Sequence, residues 1–179
     1  MALKPTIYKV QVTLSDSDRN CFESFTPTLA LHPSETVERM AVRLLAYCLE
    51  YTPGLEFTRG LSTADEPDLW RHADDGELLC WVEVGQPEEA RLRKACGRAR
   101  EVAVYAFGSG ADTWWKQQGD AIAALPRLRA MQFDWAEVQA VAGLLQRTVA
   151  LSISIVGGVL YVDDGAANVS LEPRRLLGS

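Results

Sequence analysis

The stretch from Glu66 to Pro87, EPDLWRHADDGELLCWVEVGQP, limits the possible folds more than any other. Two short apolar runs flank Asp74-Asp75-Gly76, the pattern that marks a tight β-hairpin. With Asp75-Gly76 as a two-residue loop, position 74 faces 77, Trp70 faces Trp81 and Asp68 faces Glu83. A four-residue loop from Asp74 to Glu77 keeps the same pairing. All four side chains then share one face, because side chains alternate along a strand. An odd loop without a bulge puts the two carboxylates on opposite faces instead. Directly opposed carboxylates, with Cβ atoms about 5 Å apart, need a counter-charge or a shared proton. A divalent cation with hard oxygen ligands meets that need. So do solvent or arginines such as Arg59 and Arg71 at an open strand end. Trp70 and Trp81 read as a packing pair.

With 179 residues and 47% hydrophobic content, the chain is long enough to bury a sizeable core as one domain. Its net charge of −6 excludes a uniformly basic nucleic-acid coat. Any contact with a phosphate backbone has to be local, through a patch or a bridging metal. Cys21, Cys48, Cys80 and Cys96 lie far apart with no Cys-x-x-Cys, so they read as buried thiols in a reducing compartment. The opening MALKPTIYKVQVTL alternates polar and apolar residues, unlike a secretory leader, and no apolar run reaches the ~18 residues of a membrane span. A cytoplasmic location is the resulting expectation, without a membrane partner.

Periodicity predicts a strand over Thr6–Leu14, a turn at 15–20 and a returning strand over 21–31. Ser34 is the expected N-cap of a helix to about residue 50, with Glu35 in its first turn. Its stripe is Val37, Met40, Ala41, Leu44, Leu45 and Cys48, with Glu38 on its flank. Residues 54–65 read as irregular. After the central hairpin, Pro87 opens a helix to about 100 with a narrow apolar stripe of small residues and an otherwise basic surface. The apolar run 102–107 is a buried strand, so 78–84, 87–100 and 102–107 form a βαβ unit. A helix over 111–124, a strand over 129–133 and an Asp134-capped helix to about 146 follow. Thr148–Val156, Gly157-Gly158 and Val159–Asp163 predict a C-terminal hairpin. Residues 166–179 read as a loosely ordered tail after a single domain over 1–165. The expected class is α/β (α+β), a mixed sheet with helices on both sides and hairpins at each end.

Pro67-Asp68, fourteen residues, then Glu83-Val84-Gly85 resembles the signature of the PD-(D/E)xK nuclease-like superfamily. More closely, ALHPSET, GLSTADEPDLW, WVEVGQP and RLRKACGRAR together resemble the YaeQ family, a divergent branch of it. The resemblance runs over most of residues 1–165 and implies a restriction-endonuclease-like core. It also implies that Asp68 and Glu83 hold Mg²⁺ or Mn²⁺ on adjacent strands, with Glu35 or Glu38 of the preceding helix joining them. The third motif position should be lysine and is Gly85. Lys94 on the following helix is the expected stand-in.

Two functions follow from that resemblance. One is a metal-dependent phosphodiesterase or nuclease. There Asp68, Glu83, Lys94 and Gln86 are catalytic, and Asp68, Glu83 and Glu38 are metal ligands, helped by the Val84 carbonyl. Arg91, Arg93 and Arg98 then hold a DNA or RNA backbone. The other, favoured by Gly85, is an inactive relative that binds nucleic acid or a protein without cutting. His32 and His72 sit in no metal-spaced cluster and read as structural and exposed respectively.

Overall fold

The computed structural model describes residues 3–59 and 63–178. Residues 60–62, within the stretch read as irregular, lie outside the described residues, as do the first two and the last. The chain divides into two compact units, Met1–Ala41 with Asp134–Pro173, and Val42–Phe133 with Arg174–Ser179. The α+β class stands, but the strands form two six-stranded mixed sheets where one was expected. No helix among the described residues is long and apolar enough to cross a membrane.

In the first unit the spine is β1 (Thr6–Asp16). Its alternation buries Val10, Val12 and Leu14 and leaves Lys9, Gln11 and Thr13 in water. The turn at 17–20 returns the chain as expected, with Asn20 in the left-handed region at φ 54. The predicted strand 21–31 is divided near Pro27 into β2 (Cys21–Phe25) and β3 (Thr28–Leu31), which pair antiparallel with opposite ends of β1. The long-range partner is β9 (Thr148–Val156), parallel to β1. It turns at Gly157-Gly158, with Asp18 accepting from both amides, into β10 (Val159–Asp163). The expected loose tail begins instead with β11 (Asn168–Leu171) on the edge of this sheet.

α1 (Val37–Leu49) starts two residues later than expected. Thr36 Oγ1, not Ser34, accepts from the Arg39 amide, while the Ser34 amide donates to His32 Nδ1. α4 (Trp135–Ala142) opens on the anticipated cap, with Asp134 accepting from the Glu137 amide, and closes at Gly143.

In the second unit the order is β12-β8-β7-β6-β5-β4. β4 is Glu56–Phe57, β5 Leu69–His72, β6 Leu78–Val84, β7 Glu101–Ala106, β8 Leu128–Gln132 and β12 Arg174–Leu177. β6, β7 and β8 run parallel through two crossovers, α2 (Glu89–Arg98) and α3 (Ala111–Ala123). Both helices face one side of the sheet, where Leu92, Ala95, Trp114 and Ile122 pack with Trp81, Val102, Val104, Leu128 and Ala130. Each fully buried large apolar side chain there contributes about 1.5–3 kcal/mol. The alternation puts Tyr105 and Arg129 on the other side. There Glu50, directly after α1, accepts from both Arg129 Nη atoms at 2.9 Å and from the Tyr105 hydroxyl at 2.5 Å.

Candidate functional site

The central hairpin holds its register by two departures that cancel. Ala73 N–H donates to the Glu77 carbonyl at 2.8 Å, so the loop is the odd one, Asp74 to Gly76, with Gly76 at φ +88. A three-residue loop ending in the left-handed region is a favoured hairpin turn. Alone it would shift the strands by one residue. The register slips back between Arg71↔Cys80 and His72↔Leu78, which leaves Leu79 bulged, and Trp70 faces Trp81 as expected. The bulge therefore restores the pairing of the two indoles.

Asp68 precedes β5 rather than lying in it. Its amide donates to the Val82 carbonyl at 3.0 Å, and its Oδ2 accepts from the Val84 amide at 2.8 Å. It is 2% exposed. Glu83, 5% exposed, lies in β6 on the same face as Trp81, whose Nε1–H donates to Glu83 Oε1 at 2.8 Å. Arg91, on the first turns of α2, donates from Nε to the same oxygen at 2.7 Å. Its Nη1 and Nη2 reach the carbonyls of Ala64 and Glu66 at 2.6 and 2.8 Å. Burial pushes the Glu83 carboxyl above the ordinary carboxylate range; Arg91 draws it down, and the Asp68 charge adds to the rise.

Several of the other expected site residues have structural occupations. Gly85, standing where the motif has lysine, has φ +112, a backbone that L side chains rarely adopt. A lysine at this position is strained, which gives the motif departure a local cause. Gln86 Nε2 donates to the Phe107 carbonyl at 2.9 Å, and a Cβ at Gly110 would stand 3.1 Å from Gln86 Oε1. Gln86 thus fastens the turn after β7. Arg93 pairs with Glu89 at 2.6 Å on the helix surface. Arg98 donates to the Asp65 carbonyl at 3.2 Å and lies over the Trp81 ring at 5.1 Å, a cation–π contact. Lys94 is exposed on α2. Glu38 stands in the first turn of α1, and the buried Glu35 pairs with Arg39 at 2.7 Å; both belong to the first unit.

This donor set fits a tightly held ion poorly. Among the described residues, no three His, Cys, Asp or Glu side chains converge to hold a metal. Glu83 Oε1 already takes an indole N–H and a guanidinium N–H, and Asp68 Oδ2 takes a backbone N–H. The counter-charge anticipated for Glu83 is present as an arginine, but it is Arg91 rather than Arg59 or Arg71. Arg91 was read as a phosphate contact, and its role here depends on α2 folding back over the sheet. The Trp81 bond was within reach of the sequence, since residues two apart in a strand share a face.

A family model described as YaeQ protein matches residues 1–173. YaeQ proteins of Salmonella typhi and Escherichia coli strain K12 are each 40% identical to this chain, over 96% of it and 96% and 95% of theirs. The crystal structure of YaeQ protein from Xanthomonas axonopodis pv. citri superposes with a TM-score of 0.94 at 39% identity, covering 98% of this chain and 99% of that one. The YaeQ structure from Pseudomonas syringae gives 0.93 at 36%, covering 98% and 97%. Sequence and fold agree along almost the whole chain, which therefore belongs to the YaeQ family.

Proposed function

We propose that this chain works by binding and not by cutting, on a nuclease-like core whose acidic pair has become an internal clasp. The observation that carries this reading is Arg91, whose Nε sits 2.7 Å from the Glu83 oxygen that a metal would need. With its other nitrogens Arg91 holds the carbonyls of Ala64 and Glu66, so the acidic pair fastens the loop before β5 to α2. The partner class favoured is a protein. Of the helix cations expected to meet DNA or RNA, Arg91 and Arg98 are engaged internally, Arg93 pairs with Glu89, and the chain carries a net charge of −6.

The test is calorimetric titration of the full chain with Mg²⁺ and Mn²⁺, beside Asp68→Ala and Glu83→Ala, with a plasmid-nicking assay in Mn²⁺. The expected result is no carboxylate-dependent binding and no nicking above the level of the variants. Mn²⁺ binding and nicking that both vanish in Asp68→Ala overturn the reading.

One observation favours the second reading, a Mg²⁺- or Mn²⁺-dependent phosphodiesterase. Glu83 is a buried carboxyl raised partly by a neighbouring carboxylate, a pattern common at functional sites. In that case Arg91 has to leave Glu83, Asp68 and Glu83 hold the ion, and Lys94 with Gln86 orient water or phosphate. Bound metal would lower the pKa of water and stabilise charge on the phosphoryl group.

A further inference from the structure

At the amino ends of β7 and β8 the second unit carries an open groove of about 680 Å³, within the size range of small-molecule sites. Three arginines line it: Arg100, Arg127 and Arg129. Each donates hydrogen bonds to the protein. Arg100 Nε donates to Glu77 at 2.6 Å, and both Arg129 Nη atoms donate to Glu50 at 2.9 Å. Arg127 donates from Nε to the Arg100 carbonyl and from Nη2 to the Cys96 carbonyl, each at 3.0 Å.

These bonds leave both Nη atoms of Arg100, Nη1 of Arg127 and Nε of Arg129 without a partner among the described residues. Glu77 and Glu50 balance Arg100 and Arg129, whereas no carboxylate among the described residues bonds Arg127. Arg127 is also held at φ 56, a conformation that non-glycine residues rarely take and that marks functional sites more often than chance. Leu125, Leu128 and Leu177, the last supplied by β12, give the groove an apolar side. Glu101 also faces the space, which disfavours a doubly charged guest.

We propose that this groove binds a carboxylate carrying an apolar chain. The carboxylate takes the free N–H groups of Arg127 and Arg100, and the chain lies along Leu125, Leu128 and Leu177. The inference stands apart from the clasp at Glu83 and does not depend on it.

The experiment is calorimetric titration of the full chain with octanoate, 1-octanol and inorganic phosphate. Octanoate binds saturably at one site, and the other two bind about tenfold or more weakly, the worth of a charge-assisted hydrogen bond. Arg127→Gln and Leu177→Trp each weaken octanoate about tenfold while circular dichroism stays native. Should Arg127→Gln fail to fold, because it also caps α2, Arg100→Gln and Leu177→Trp carry the comparison. The proposal is overturned by no saturable octanoate binding to the wild type, by octanol binding as tightly, or by affinity unchanged in both Arg100→Gln and Leu177→Trp.

Discussion

Replacing Arg91 by alanine removes the guanidinium from a buried carboxylate. Stripping one partner from a fully buried pair costs about 3–5 kcal/mol, whereas an exposed pair is worth about 0–1 kcal/mol. The Glu83 side chain is 6% exposed and that of Arg91 37%, so the pair lies between those limits, at about 2 kcal/mol. The lost bonds to the Ala64 and Glu66 carbonyls add about 1 kcal/mol net.

Equilibrium urea unfolding, followed by tryptophan fluorescence, measures the total of about 3 kcal/mol at pH 7. In a Glu83→Gln background the same change costs only about 1 kcal/mol, a coupling of about 2 kcal/mol. Acid provides an independent check. A carboxyl raised by folding contributes stability that is complete below its unfolded pKa and lost as pH rises through the folded one. Removing Arg91 takes away the largest influence opposing that rise. The variant's deficit is therefore full at pH 7 and narrows toward pH 5 as Glu83 takes up a proton. A deficit that is the same at both pH values and in both backgrounds refutes the ion-pair reasoning.

Other outcomes follow from buried groups in the second unit. Burial pushes the Cys80 thiol up to about 12. At pH 8 native Cys80 should therefore resist a thiol reagent that reacts with the half-buried Cys21, and mass spectrometry of labelled peptides reads the order. Glu50→Ala strips the acceptor from Arg129 and Tyr105 and lowers stability by about 2–4 kcal/mol; Tyr105→Phe, which leaves the Arg129 pair in place, costs about 1 kcal/mol in the same denaturation assay. The Tyr105 hydroxyl is held well above its ordinary value by burial and by Glu50. Ultraviolet titration of the native chain should accordingly leave it protonated until the fold opens.

Features set by local periodicity were legible in the sequence. The hairpin 148–156 and 159–163 emerged with the expected bounds because alternation and Gly157-Gly158 act within a few residues. The βαβ at 78–106 was legible for the same reason, as a continuous apolar strand after an amphipathic helix. The parallel pairing of β1 with β9 joins Val10 to Val149, and no local pattern announces it; hence two sheets stand where one was expected. β11 and β12 are four residues each and half polar, too short for a periodic signal, so their strand character comes from the neighbours they pair with.

At the candidate site the sequence located Asp68, Glu83 and the facing tryptophans. The loop Asp74 to Gly76 has three residues where two or four were expected, and the bulge at Leu79 restores the register without any signal in composition. The identity of the counter-charge was hidden for a different reason. Arg91 is one of several basic residues on α2, and only the fold decides which of them faces the sheet.

Arg91 answers the Glu83 carboxylate at 2.7 Å. The indole N–H of Trp81 lies 2.8 Å from Glu83 Oε1 and reports directly on that oxygen. In ¹⁵N-edited NMR with substoichiometric Mn²⁺, the Trp81 indole signal is expected to keep its intensity alongside those of the other tryptophans. Selective loss of that signal, reversed by chelator and absent in Asp68→Ala, would place the ion at Glu83 and contradict that expectation.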